Sequence, residues 1–70
     1  MRIKFGDQVD LCVRAEYQDL HLFLWLHSDE MYIVLCDSVE NAQACLSALL
    51  IHGYLDIGSM YCMDKNWRRI

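Results

Sequence analysis

The segment Leu20–His27, LHLFLWLH, alternates without a fault between leucine and an aromatic or imidazole side chain. Successive side chains of a strand point to opposite faces, so Leu20, Leu22, Leu24 and Leu26 line one face. His21, Phe23, Trp25 and His27 line the other. The leucine face demands a core, and the reverse face is too apolar for ordinary solvated surface. The rest of the chain has to supply cover for at least one of them.

The flanking segments read as strands too. Met1, Ile3 and Phe5 alternate with Arg2 and Lys4 up to Gly6-Asp7, and Val9, Leu11, Val13, Ala15 and Tyr17 alternate with Asp10, Cys12, Arg14 and Glu16. A three-residue connection over 6–8 sets Phe5 against Val9, Ile3 against Leu11 and Met1 against Val13, which keeps every apolar residue on one face. Pairing Tyr17 with Leu20 then sets Ala15 against Leu22, Val13 against Leu24 and Leu11 against Leu26. The opposite face pairs Glu16 with His21, Arg14 with Phe23, Cys12 with Trp25 and Asp10 with His27. After a turn at 27–30, setting Leu26 against Met31 places Ile33 and Leu35 with the leucines. Tyr32 then meets Trp25, Val34 meets Phe23 and Cys36 meets His21 on the aromatic side.

Asp37, with Glu40 three residues on, forms a capping box for a helix. Its apolar stripe is Val39, Ala42, Cys45, Leu46, Leu49 and Leu50, and Gly53 supplies the stop. Residues 54–63 read as a last strand, in which Gly58 marks a bulge or a close backbone approach. Residues 63–70 are a short polar and basic tail around Trp67. The expected architecture is one α+β domain over residues 1–70, ordered β-β-β-β-α-β. An antiparallel meander carries one helix on its leucine face, and the last strand returns parallel to the strand before the helix.

Composition narrows the function. Seventy residues with 56% hydrophobic content make a single small domain with apolar surface to spare. Six Lys+Arg against ten Asp+Glu, a net charge of −4, argue against direct nucleic-acid binding. Cys12, Cys36, Cys45 and Cys62 are scattered singly, which reads as buried thiols in a reducing cytoplasm rather than a zinc site or a disulfide framework. The longest charge-free stretch, 41–55, is too short and too polar to span a bilayer.

No residue set carries a catalytic signature, and no cofactor is expected. The expected His21–Cys36 contact is the one thiol–imidazole candidate, and a flat sheet face offers it neither oxyanion donors nor a pocket. His21 and His27 lie about 20 Å apart along one strand at roughly 3.3 Å per residue, too far to share a metal ion.

The aromatic face is the strongest feature. It gathers Phe23, Trp25, Tyr32, Val34, Arg14 and Cys12, and it reads either as a second core under the last strand, the tail or Trp67, or as a partner surface. With one helix available, and that helix claimed by the leucines, the partner surface is the favoured reading. In size and design the chain resembles the small acidic single-domain inhibitors encoded by phages and mobile elements, the anti-CRISPR proteins among them. It shares with them a short proline-free chain, a small sheet with one helix, and displayed Trp25 and Tyr32. The resemblance transfers no functional residue. It implies a non-enzymatic inhibitor in the cytoplasm of a host cell, blocking a larger host protein such as a defence nuclease or a nucleic-acid-binding complex. Phe23, Trp25, Tyr32, Val34 and Arg14 are the expected contacts, with Asp10, Glu16, Asp29 and Glu30 as a polar rim. The alternative is a homo-oligomeric module, a homodimer in the simplest case, packing aromatic face on aromatic face.

Overall fold

A computed structural model describes residues 1–70 and has the expected α+β class, with six strands and one helix. Strands β1 (Arg2–Phe5), β2 (Gln8–Gln18), β3 (His21–Leu26) and β4 (Met31–Leu35) form the antiparallel meander. The helix α1 spans Val39–His52. The expected last strand is two strands, β5 (Tyr54–Asp56) and β6 (Tyr61–Met63), and they join opposite edges in the order β5-β1-β2-β3-β4-β6. Neither runs parallel to β4: β5 is parallel to β1, and β6 is antiparallel to β4.

This split dictates the shape. At about 3.5 Å per residue, the five steps from Asp56 to Tyr61 span at most about 18 Å. Six strands laid flat at about 4.8 Å spacing place their edges about 24 Å apart. A turn from the Met60 N–H to the Ile57 carbonyl (3.1 Å) shortens the reach further. The sheet therefore has to curl until its edges approach. The curl brings Phe5 of β1 onto Tyr32 of β4, rings stacked at 5.7 Å, with two strands between them in the sheet order. Gly58 is the close approach expected of it, since a Cβ there would stand 3.3 Å from the Gly6 amide nitrogen.

Curling defines an inner and an outer face. Leu22, Leu24 and Leu26 point inward as expected and are buried, joined by Ile3, Cys12, Tyr32, Val34, Cys36, Ile57 and Cys62. The helix closes the inner layer with Ala42 and Leu49 buried and Cys45 and Leu46 half-buried. Val39 and Leu50 of the expected stripe are exposed instead. Ser38, not Asp37, caps the helix, its hydroxyl accepting from the Asn41 N–H at 3.0 Å. Gly53 ends it as expected at φ 68, its N–H donating to the Leu49 carbonyl at 2.8 Å.

Three registers differ from expectation, and two differences reverse faces. Phe5 pairs with Gln8 across a two-residue Gly6-Asp7 loop, with Gly6 at φ 61. One residue fewer in the loop turns Gln8–Cys12 over, so Asp10 and Cys12 face inward and Val9, Leu11 and Val13 face out. The β3–β4 loop has three residues, 27–29, with Asp29 at φ 69 in the left-handed position such loops use. Leu24 consequently pairs with Tyr32 and Leu22 with Val34, placing both in the core, while Ile33 and Leu35 turn outward. His21 pairs with Leu35, not Cys36. Between β2 and β3 the turn is Asp19-Leu20, with Tyr17 against Leu22 and Ala15 against Leu24. That register is slipped, but the faces hold. A β-bulge between Cys12 and Arg14 absorbs the one-residue offset between the two halves of β2.

Candidate functional site

The outer face divides into a covered half and a bare half. On the covered half, β3 supplies His21 and Phe23, β4 supplies Ile33 and β6 supplies Met63. The C-terminal residues fold back over them. The Asp64 carboxylate accepts from the N–H groups of Asn66 (2.9 Å) and Arg68 (3.0 Å), the Asp64 carbonyl accepts from the Trp67 N–H (2.9 Å), and Arg69 pairs with Met63. This turn holds Trp67 at φ 64 with its ring edge-on to His21 at 5.3 Å and to Phe23 at 5.9 Å. Of 14 buried residues 12 belong to the main core, and the remaining two are Ile33 and Met63. Cover by the tail has made them a second, small core.

Trp25 marks the border. Its ring lies under the Arg14 guanidinium at 4.6 Å, and the same guanidinium bonds Glu16 at 2.6 Å. The cation–π pair is with Trp25 rather than Phe23, because Arg14 pairs with Trp25 in the ladder.

The bare half lies on β1 and β2. Val9 is 54% exposed, Leu11 58% and Val13 61%, high for three branched apolar side chains spaced two apart on one strand. Arg2 sits opposite Leu11 and Lys4 opposite Val9 on the same face. The helix α1 packs on the inner side, where Ala42 and Leu49 are buried, and leaves this strip exposed.

The expected contact residues are thus dispersed. Phe23 lies under Trp67, Trp25 and Glu16 are engaged by Arg14, and Tyr32 and Val34 are in the core. Asp10 is half-buried and accepts from the Tyr32 hydroxyl at 2.8 Å, and it makes no rim. Asp29 and Glu30 are exposed in the β3–β4 turn, Glu30 4.0 Å from Lys65. Alternation alone assigns the strip of Val9, Leu11 and Val13 to the core. The signal that reveals it is Gly6-Asp7, a two-residue hairpin loop by composition.

Two buried thiols, Cys36 and Cys62, are poorly suited to nucleophilic chemistry. Burial, then the neighbouring Cys45 thiol, pushes Cys36 up to about 11, and burial followed by Cys36 pushes Cys62 up to about 11. Both are protonated near neutral pH, which disfavours nucleophilic use. Cys36 borders the larger surface depression, about 580 Å³, between Leu35, Asn41 and Met60, with no histidine on its wall. No group of three or more His, Cys, Asp or Glu side chains is arranged to hold a metal ion, and no helix is long and apolar enough to cross a membrane. Comparison with protein-family models, curated proteins and solved structures finds no match.

Proposed function

We propose that this chain is a non-enzymatic binding protein that acts by occupying the surface of a larger protein, as a stoichiometric inhibitor does. One observation carries the reading: a sheet whose outer face buries Ile33 and Met63 leaves Val9, Leu11 and Val13 each more than half exposed beside Arg2 and Lys4. Exposed apolar strips with charged borders are characteristic of contact surfaces. The contact proposed is therefore the β1–β2 strip, with Trp25 and Arg14 at its border, rather than Phe23 and Tyr32. The resemblance to phage-encoded inhibitors directs the search for a target to host defence nucleases and nucleic-acid-binding complexes. Self-association is the second reading. A two-fold contact centred on Leu11 brings the Arg2 and Lys4 of both copies into one interface, and that like-charge cost counts against it.

The test compares wild type with Leu11→Asp, a change at an exposed position, as baits in host lysate. Wild type captures a stoichiometric partner and inhibits it, whereas Leu11→Asp captures none while its circular dichroism stays native. Equal capture by both refutes the strip as the contact. Sedimentation at micromolar concentration reads monomer, and a concentration-dependent dimer abolished by Leu11→Asp replaces the inhibitor with the self-associating module.

A further inference from the structure

The fold sorts charge in a way that the net value of −4 conceals. All six cations, Arg2, Lys4, Arg14, Lys65, Arg68 and Arg69, lie on outer strand positions or in the C-terminal turn that folds onto that face. The helix carries none, and its one carboxylate is Glu40. The ten carboxylates lie mostly in turns, at the helix start or inside. On outer strand positions only Glu16 and Asp56 remain, the first bonded to Arg14 and the second opposite Lys4 in the ladder, where it accepts from the Gly58 N–H at 2.9 Å. An acidic protein therefore presents a locally basic outer face.

The cations differ in what they already hold. Arg14 is held by Glu16 and Trp25, Arg69 lies over the Tyr61 ring at 4.7 Å, and Lys65 is 4.0 Å from Glu30. Arg2, Lys4 and Arg68 make no ion pair, and the first two flank Val9 and Leu11.

Building on the proposed contact, we infer that the partner segment seated on the β1–β2 strip is acidic and apolar, its carboxylates meeting Arg2 and Lys4 and its aliphatic side chains meeting Val9, Leu11 and Val13. Single-stranded nucleic acid also seeks basic sheet faces, but it needs open rings for base stacking. Here Trp25 is capped by Arg14, Tyr61 by Arg69 and Phe23 by the edge of Trp67; Tyr54, opposite Arg2 on β5, is a single exposed ring, and the strip itself is aliphatic. One ring makes no platform for a run of bases, so carboxylates on an apolar segment fit this surface better than bases do.

Three probes decide it: a short peptide alternating glutamate with leucine, the same peptide with lysine for glutamate, and an oligothymidylate. Binding is followed by amide shifts in the full chain. The glutamate peptide moves the signals of Val9, Leu11 and Val13, the lysine peptide binds at least about tenfold more weakly, and oligothymidylate moves none of them. The double variant Arg2→Glu with Lys4→Glu reverses the peptide preference without unfolding, since both side chains project from the outer face. Equal binding of the two peptides, an unchanged preference in the double variant, or oligothymidylate binding at this strip overturns the inference. In lysate capture the double variant separates the two claims. Loss with Leu11→Asp but not with charge reversal overturns the acidic partner and keeps the contact. Retention with Leu11→Asp removes the contact itself.

Discussion

The two halves of the outer face have similar raw material and opposite fates. Each presents three apolar side chains: Phe23, Ile33 and Met63 from neighbouring strands on one, Val9, Leu11 and Val13 from the single strand β2 on the other. The first half lies beside β6, the last strand, so the residues after Met63 are within reach to fold over it, and the Asp64 turn fixes Trp67 there. The second lies beside β5, and the chain leaves β5 toward the inner end of the sheet through Ile57, which is fully buried. Cover follows from which edge β6 and the Asp64 turn occupy. Apolar content is not what separates a core from a contact surface in this molecule.

If that account is right, substitutions on the covered half cost stability and those on the bare half do not. Ile33→Ala has the largest effect: it empties a site 1% exposed between Phe23 and Met63, and urea unfolding should show a loss of about 3 kcal/mol. A loss below about 1 kcal/mol would mean that the tail covers this half only loosely.

The inner layer beneath the bare half is tested by pH. Burial first, then the bond to Asp10 and its charge, pushes the Tyr32 hydroxyl up to about 12 from 10.0. The folded chain thus holds this proton more tightly than the unfolded chain does. The resulting stability is intact below about pH 10 and is lost as pH rises toward about 12. Cys36 and Cys62, pushed up to about 11 from 9.0, begin the same decline about a unit earlier. Melting temperature should hold steady to about pH 9 and then fall, and Tyr32→Phe should flatten the upper part of the fall. A wild-type profile that is flat to pH 12 would show that Tyr32 is not held as described.

Trp67→Ala is smaller in energy because the ring is half-exposed, about 1 kcal/mol, but it should convert the covered half into a bare one. Binding of an environment-sensitive dye should rise in this variant, and native dispersion of the Ile33 signals should be lost. Leu11→Asp is the smallest, within about 0.5 kcal/mol of wild type, since Leu11 is 58% exposed. A loss above about 2 kcal/mol would reassign the strip to the core and remove the proposed contact.

Much of the fold was legible from local pattern. Four strands, the helix with its Gly53 stop, and the leucine face of β3 follow from periods of two and 3.6 residues. The candidate site was less legible. Alternation in β2 runs unbroken from Val9 to Tyr17, so nothing in the pattern announces that the strand turns over at a bulge near Val13. MYIVLC is apolar on both faces, so Tyr32 and Val34 sit as well inside as outside until the loop length chooses.

LHLFLWLH by itself determined that this chain builds a strand with Leu22, Leu24 and Leu26 on one face, because a period of two is a property of the strand and depends on nothing distant; Leu20 falls in the turn before it. What covers its other face was decided only in three dimensions. One residue more or less in a hairpin loop reverses every side chain beyond it, and the edge reached by β6 settles where Trp67 falls. Those choices rest on the free energy of the whole packed sheet, which no local stretch contains.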